Sequence, residues 1–384
     1  MIYLDHNATT PVSAEAFEAM RPYFCQDWGN PSSSYRFGSQ VRTAVETARE
    51  QVAALIGAYS PEVIFTGCAT ESNNAAIHAA LKARPSNRHV VTSCVEHSSV
   101  LSYCQALEQE GYTVTYLPVD REGQLSLTDL ENAITDSTAV VSLMWANNET
   151  GVVFPIERIG TVCKTRGVLF HTDAVQAAGK LPIDLKRTPV DYLSLAAHKI
   201  NGPKGVGALF VSRTAPFSAY LHGGHQERGW RGGTTNVPLI IGMGEAAKHV
   251  KSTLLNYQTN VAPMRDQLER GILKVVHDVE VNGGGSERLV NTTSISFGAI
   301  ESEAMLLLLD QQGVCASSGS ACLADSDVPS HVIEAMKPGT TAARQSIRFS
   351  MGKETSVPEI DEALRIIQLS VATLRGLHLV GTRE

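Results

Sequence analysis

Short apolar segments alternate with amphipathic segments along the first half of the chain. Apolar residues recur three and four positions apart between residues 38 and 56, which predicts a helix, and Gly57 follows as its C-terminal cap. Seven apolar runs of strand length predict β-strands at residues 62–66, 89–93, 113–117, 139–145, 168–173, 191–196 and 206–211. Helical patterns separate most of these runs, which is typical of an α/β fold with a mainly parallel seven-stranded sheet and helices on both faces. The last run follows its predecessor too closely for a helical crossover, so we expect it to be antiparallel.

The pattern changes near residue 260. Beyond this point two apolar runs predict strands at residues 291–297 and 344–350, and a loop rich in Gly, Ser and Asp lies between them. A closing helix is predicted over residues 358–374. We therefore predict a large domain at residues 16–259 and a smaller α+β domain formed by residues 1–15 and 260–384.

The composition is that of a soluble globular protein, because the 384-residue chain is 43% hydrophobic and 18% charged. Its formal net charge of −7 comes without a run of like charges, which argues against nucleic acid and membranes as direct partners. The first residues do not resemble a signal peptide and the apolar runs are too short to cross a bilayer, so we expect a cytoplasmic protein. The seven cysteines show no C-x-x-C or zinc-like spacing, so no metal site is expected.

The loops that follow the predicted strands carry the candidate chemistry, because ligands of open α/β sheets bind beyond the carboxyl ends of the strands. Gly67, Ala69 and Thr70 follow the first strand and precede a predicted helix, whose N-terminus can bind a phosphate group. The chain contains no Walker loop, and its segment "GPKGVG" does not fit the dinucleotide pattern. These absences disfavour a nucleotide as the phosphate-bearing ligand.

Three further loops supply a carboxylate, a lysine and an imidazole. Asp173 ends an apolar strand, with Gln176 one turn later, while Lys199 ends the next strand and His97 follows the second. Each has a structural alternative: Asp173 can cap a helix, His97 can begin one, and Asn148 can form a turn. Together they favour pyridoxal phosphate, since the carboxylate would keep the ring nitrogen protonated, the lysine would form a Schiff base and the imidazole would stack on the ring.

At these residues the chain resembles the cysteine desulfurases of the NifS/IscS type, within the class V aminotransferase group. The resemblance spans nearly the whole chain and implies a fold-type I enzyme with pyridoxal 5'-phosphate as its cofactor. It is carried, in order, by the segments "YLDHNATTPV", "GNPSSSYRFG", "FTGCATESNN", "TSCVEHSSV", "ANNETGVVFPI", "HTDAVQAAGKLPIDL", "SLAAHKINGPKGVGALFV", "RGGTTNVP", "SSGSAC" and "SIRFSMG".

The resemblance implies a role for each matching residue. Lys199 would carry the cofactor, Asp173 would pair with its ring nitrogen, and His97 would stack on the ring. The other implied contacts are Asn148 and Gln176 to the ring oxygen, and Ala69, Thr70 and His198 to the phosphate, joined by Thr234 from the other subunit of a homodimer.

One position departs from the family pattern. Where the family has a hydroxyl residue three positions before the lysine, this chain has Ala196. Loss of one hydrogen bond to a charged group would weaken cofactor binding by about 1.5–3 kcal/mol unless water or a neighbouring group replaces it. Ser194 lies roughly 6–7 Å further back along the strand, which is too far to replace the missing hydroxyl.

Cys322 lies in a small, polar segment that allows several interpretations. From composition alone the segment could be a flexible linker, and Cys322 could form a redox pair with Cys315 or act as a nucleophile on a mobile loop. The resemblance places the family's catalytic cysteine at Cys322.

The implied reaction converts L-cysteine to L-alanine. Arg348 and Asn148 would bind the substrate, Lys199 would move the α-proton, and His97 would assist proton transfer at the substrate thiol. Cys322 would take the sulfur as a persulfide and pass it to an acceptor protein, for example an iron–sulfur scaffold.

Two alternatives stay open at this point. The chain could be a selenocysteine lyase or another pyridoxal-phosphate-dependent transferase, for which Cys322 is incidental. It could also be a scaffold that binds a sulfur acceptor without catalysis, a hypothesis motivated by Ala196. A requirement for Cys322 in alanine release tests the first, and a cofactor chromophore tests the second.

Overall fold

The structure is a computed structural model that describes residues 1–319 and 329–381. Its strands are β1 (Ile2–Tyr3), β2 (Val63–Thr66), β3 (His89–Ser93), β4 (Thr113–Leu117), β5 (Thr138–Ser142), β6 (Leu169–Asp173), β7 (Tyr192–Ala196), β8 (Gly207–Val211), β9 (Val279–Val281), β10 (Thr292–Phe297), β11 (Val314–Cys315) and β12 (Ser346–Ser350). Its helices are α1 (Ala14–Met20), α2 (Pro22–Cys25), α3 (Arg36–Leu55), α4 (Ala69–Ala83), α5 (Ser98–Gln109), α6 (Leu127–Ala133), α7 (Ile156–Thr165), α8 (Val237–Val275), α9 (Ser302–Gln311), α10 (His331–Met336), α11 (Ala342–Gln345) and α12 (Val357–Gly381).

The central element is a seven-stranded sheet in the order β2-β8-β7-β6-β5-β3-β4. Adjacent strands in the part of the sheet from β7 to β4 are parallel. Strand β8 is antiparallel to both β7 and β2, as the short connection between β7 and β8 predicts. The mainly parallel α/β sheet expected from the sequence is therefore confirmed. Strand β5 ends at Ser142, earlier than predicted, although Leu143 and Trp145 still donate backbone hydrogen bonds to β6.

Both faces of this sheet are covered by helices because its strands are apolar on both sides. Val63 and Phe65 pack into a core with α3, α7 and α8, whereas Ile64 packs on the opposite face with α4 and α5. Helix α3 agrees with the predicted helix, and Gly57 just beyond it has φ +66°, a left-handed conformation that suits glycine at a helix end.

A second core lies around the antiparallel sheet β12-β10-β9. The predicted strands and closing helix correspond to β10, β12 and α12, while the short β9 was not predicted. Strand β1 pairs with β11, which brings Leu4 into this second core. Helix α8 packs on the large core up to Val250 and on the second core from Val261, so the predicted boundary near residue 260 falls within one helix and stays a prediction. Among the described residues, no helix is both long and apolar enough to cross a membrane.

Candidate active site

A cavity of about 200 Å³ lies where the predicted site loops converge at the carboxyl ends of the parallel strands. Its wall contains the predicted residues Ala69, Thr70, His97, Asn148, Asp173, Gln176, His198, Lys199 and Arg348, together with Ala196 at the position that departs from the family pattern. These residues come from distant parts of the chain, and the sheet brings them together as the strand order predicts.

Thr234 is a predicted residue that does not line this cavity. Thr234 lies on another cavity, in a segment that Arg231 ties to the start of α4 through Glu71, at 2.9 Å between Nε and Oε1. Its expected contribution to a second subunit stays a prediction. Cys322 lies outside the described residues.

The Asp173 carboxylate is buried at the end of β6 and is held from two sides. Its Oδ1 accepts a hydrogen bond from the backbone of Val175 at 2.9 Å, and its Oδ2 accepts one from Asn73 Nδ2 at 2.7 Å. The same amide nitrogen donates to Ser99 Oγ at 2.8 Å, so Asn73 uses both of its N–H bonds at this site. The carboxylate is thereby oriented before any ligand binds.

His97 caps the N-terminus of α5 and belongs to the same network. Its Nδ1 accepts a hydrogen bond from the backbone N–H of Ser99 at 3.1 Å and lies 2.9 Å from Ser99 Oγ. Because a backbone N–H can only donate, the proton of the neutral imidazole lies on Nε2. A chain of hydrogen bonds thus connects His97, Ser99, Asn73 and Asp173.

The first residues of α4, where a phosphate seat is expected, line the cavity, and Gly207 lets the loop before them lie close to β8. A Cβ atom at Gly207 would lie 2.7 Å from the backbone carbon of Cys68 and 3.0 Å from the Ala69 nitrogen. Only glycine therefore lets the loop before α4 rest directly against β8. His198 also lines the cavity, and burial together with the neighbouring Lys199 lowers its pKa to about 4, so this imidazole is neutral at pH 7.

Lys199 is positioned by the N-terminal segment. Its Nζ donates to the backbone carbonyls of Asn7 at 2.6 Å and Ala8 at 2.7 Å. The carbonyl of Asn7 also accepts a hydrogen bond from Gln176 Nε2 at 3.0 Å. Sequence analysis did not single out Asn7, although it belongs to the quoted segment "YLDHNATTPV".

Arg348 enters the site from β12 and is almost fully buried. Its Nη2 forms an ion pair with Asp5 Oδ1 at 2.6 Å, and its Nη1 donates to the Asn148 carbonyl at 3.0 Å. Its Nε is buried without a hydrogen-bond partner among the described residues. Asp5 was also missed from the sequence, because nothing local indicates that it meets a residue 343 positions away.

The structure shows why Ser194 does not replace the hydroxyl missing at Ala196. Ser194 lies beneath the cavity, where its Oγ is 3.0 Å from His171 Nε2. The other ring nitrogen of His171 lies 2.8 Å from Ser142 Oγ, and all three side chains are buried. Ser194 is thus committed to the core of the sheet.

Comparison with known proteins agrees with this geometry. The aminotransferase class-V family model matches residues 2–363. A protein named cysteine desulfurase 2, from Trichormus variabilis, is 52% identical over 98% of this chain and 94% of its own length. The chain belongs to the cysteine desulfurases.

Other members of the cysteine desulfurase family support this assignment. The cysteine desulfurase NifS of Azotobacter vinelandii is 50% identical over 98% of the chain and 94% of its own length. A solved structure described as a NifS-like protein superposes with a TM-score of 0.91 at 34% identity, covering 97% of this chain and 99% of its own. The fold is therefore that of the fold-type I enzymes, and the chain is an enzyme of the NifS/IscS type. Class V aminotransferases and cysteine desulfurases are families of pyridoxal-phosphate enzymes.

Proposed function

We propose that the protein is a cytoplasmic homodimer that binds pyridoxal 5'-phosphate in this cavity and converts L-cysteine to L-alanine. The observation that carries the proposal is one cavity bounded by Lys199, the buried Asp173 carboxylate and the N-terminus of α4. These three features match a Schiff-base lysine, a partner for a protonated ring nitrogen and a phosphate seat.

The residues of the cavity fit this cofactor by their chemistry. Asp173, fixed by Asn73 and Val175, is an acceptor for the ring N–H. His97 lies on the cavity wall and is available to stack on the ring, while Asn148 and Gln176 are available to its ring oxygen. In this proposal the phosphate is held by Ala69, Thr70 and His198, joined by Thr234 of a second subunit.

The substrate carboxylate is assigned to Arg348. Asp5 and the Asn148 carbonyl orient the guanidinium, and its buried Nε still lacks a partner among the described residues. A carboxylate in the cavity would satisfy that group, which is costly to leave unpaired. Arg348 therefore selects an α-amino acid and sets the position of its α-carbon.

Proton and sulfur transfer are assigned to three side chains. When bound, the cofactor accepts the electron pair left on the substrate α-carbon, which lowers the barrier to proton removal. Lys199, held near the cavity by the carbonyls of Asn7 and Ala8, takes the α-proton in its neutral form. His97 carries its proton on Nε2 and can donate a hydrogen bond to the substrate sulfur.

The Cys322 thiolate then attacks the substrate sulfur. A sulfur–sulfur bond forms on the enzyme while the bond between the substrate sulfur and its β-carbon breaks. The carbon product takes up protons and leaves as alanine, and the persulfide of Cys322 passes its outer sulfur to an acceptor protein.

The test is the visible absorption spectrum of the purified protein before and after addition of L-cysteine, with alanine and sulfide assayed together. We expect a cofactor band that shifts on addition of cysteine, and alanine that accumulates. C322S should keep the band and lose sulfur transfer. Alanine release that survives in C322S would instead support another pyridoxal-phosphate-dependent transferase. A protein that stays colourless after incubation with the cofactor would overturn the proposal and favour the scaffold.

A further inference from the structure

Lys180 is a buried lysine directly beside the candidate active site. Its side chain is 4% exposed and its Nζ donates to Gln176 Oε1 at 2.6 Å and to Asn7 Oδ1 at 3.0 Å. Lys180 and Lys199 also line one neighbouring cavity of about 180 Å³. Lys180 itself does not line the cavity to which the cofactor is assigned, so it can act there only through its partners.

The hydrogen bonds of Lys180 fix which way the Gln176 amide points. A lysine amine donates to Oε1, so Oε1 must face Lys180 and the NH₂ group must face the other way. Gln176 Nε2 indeed donates to the Asn7 carbonyl at 3.0 Å. Its second N–H is then the group that Gln176 can offer to a ligand in the cavity that it lines.

The same amine orients Asn7. Asn7 Oδ1 accepts hydrogen bonds from Lys180 and from Asn291 Nδ2 at 3.1 Å, so the Asn7 amide nitrogen faces Asn148 and donates to its carbonyl at 3.1 Å. The backbone carbonyl of Asn7 is the acceptor for Lys199 Nζ. Through Asn7 and Gln176, the Lys180 amine is thus connected to Lys199 and to Asn148.

We propose that Lys180 is a positioning residue that holds the Gln176 amide as a hydrogen-bond donor to the ring oxygen of the cofactor. The proposal rests on the proposed function, because it requires Gln176 to face a bound pyridoxal phosphate. Without Lys180 only the Asn7 carbonyl would hold the amide in this orientation. A rotated amide would present Oε1 to the ring oxygen, where two acceptors would repel each other.

The electrostatic surroundings of Lys180 agree with this role. Burial and the nearby positive charges of Lys199 and Arg348 lower the pKa of Lys180 well below its ordinary value of 10.5. Its two acceptors, Asn7 and Gln176, are both uncharged amides. Both hydrogen bonds are therefore donated by the amine to amide oxygens, which it orients.

The experiment is a pH titration of the visible band of the loaded enzyme in K180M, which removes the donor and keeps an unbranched apolar stem. A donor to the ring oxygen stabilises the negative charge that grows there when the bound cofactor loses its proton. Its loss should make that proton harder to remove. We expect the midpoint of the titration to rise by about one pH unit, a tenfold change in the proton dissociation constant.

Lys337 supplies a matched control. It is also buried, at 6% exposure, and does not line the cavity. Its Nζ donates to the side chain of Asn282 at 2.7 Å and, unlike that of Lys180, also forms an ion pair with Glu280 at 2.9 Å. K337M should lower thermal stability, as K180M does, and leave the midpoint unchanged. If the midpoint rose equally in both variants, loss of any buried lysine would shift it by making the folded protein less rigid. That result would overturn the proposal.

A double-mutant cycle tests whether Lys180 acts through Gln176. Q176A should raise the midpoint by itself, and K180M should add almost nothing in the Q176A background. Additive shifts, or an unchanged midpoint in K180M, would overturn the proposal. K180Q keeps an N–H donor on a shorter side chain, so it should raise the midpoint less than K180M. It provides the test if K180M does not fold.

These outcomes are separate from failure of the proposed function. If the wild-type protein shows no cofactor band, or shows a band without alanine production, the proposed function fails. If the wild type binds the cofactor and produces alanine while K180M keeps the wild-type midpoint, only the assignment of Lys180 fails.

Discussion

Asp5 Oδ1 lies 2.6 Å from Arg348 Nη2, and this ion pair joins the N-terminal segment to strand β12 at the edge of the candidate active site. The Arg348 side chain is 2% exposed and that of Asp5 is 13% exposed, so solvent screens the pair weakly. Asp5 Oδ2 also accepts a hydrogen bond from Ser317 Oγ at 2.8 Å. The carboxylate therefore balances the charge of the arginine to which the substrate carboxylate is assigned.

We predict that D5N lowers the free energy of unfolding by about 3 kcal/mol, because it leaves the buried charge of Arg348 uncompensated. Urea unfolding of the purified variant measures this loss. E362Q is the control, since Glu362 pairs with Arg365 on the exposed surface and its loss should change stability little. Equal effects in the two variants would contradict a special role for the buried pair.

The Asn73 amide gives a second prediction. It donates to both Asp173 Oδ2 and Ser99 Oγ, so N73A removes a charge-assisted hydrogen bond from the carboxylate assigned to the cofactor ring. We expect cofactor affinity to fall about tenfold to hundredfold, the range for one hydrogen bond to a charged group. Titration of the cofactor-free protein with pyridoxal phosphate measures it. N87A removes a half-buried amide that donates to the carbonyls of Asp136 and Thr138 and does not line the cavity, so its affinity should match the wild type.

Ala196 gives a third prediction. It lines the cavity at the end of β7, and Ser194 is committed to His171, so the chain lacks the hydroxyl that the family has at this position. A196S would restore a donor there and should slow cofactor dissociation, with a gain of about 1.5–3 kcal/mol if the hydroxyl reaches the phosphate. The dissociation rate is measured by dilution with a cofactor trap. An unchanged rate would mean that another group already satisfies the phosphate.

The central sheet could be predicted from the sequence because its strands are buried on both faces and read as apolar runs. The site residues at the ends of β6 and β7 could be predicted because ligands of open α/β sheets bind beyond the carboxyl ends of the strands. Strand β9 was missed because it has three residues, none of which is fully buried. Its register depends on β10 rather than on its own composition.

The parts of the site that were missed depend on contacts between distant segments. Asn7 reaches the cavity, and Asp5 reaches Arg348, because β1 pairs with β11 and the N-terminal segment lies beside β12. Lys180 lies between Gly179 and Leu181 in a segment with no other charged residue from 174 to 183, and a lysine is usually expected at the surface. Only the packing of Asn7 and Gln176 around its amine shows that it is buried.

Glu96 gives the last prediction, on pH and stability. It is fully buried behind His97, and its Oε1 accepts hydrogen bonds from Ser93 Oγ at 2.8 Å and from the Met144 backbone at 2.9 Å. Its Oε2 has no partner among the described residues. Burial, with a smaller contribution from the charge of Asp173, raises the pKa of Glu96 from 4.5 to about 8.

Between those two pH values the folded protein keeps a proton on Glu96 that the unfolded chain has lost. Because the unfolded state then binds fewer protons, this residue makes the free energy of unfolding fall as pH rises, by up to about 1.4 kcal/mol per pH unit. The fall begins near the unfolded pKa and ends near the folded one. E96Q cannot ionise, so its stability relative to the wild type should increase from about pH 5 to about pH 8 and stay constant above.

The difference between the two proteins is the quantity to measure, by urea unfolding at several pH values. Buried histidines such as His171, whose pKa burial lowers to about 3, contribute the opposite slope, with stability gained as pH rises towards 6.5. That contribution is common to both proteins and cancels in the difference. A difference that does not vary with pH would mean that Glu96 is ionised in the folded protein over this whole range, which would contradict the prediction.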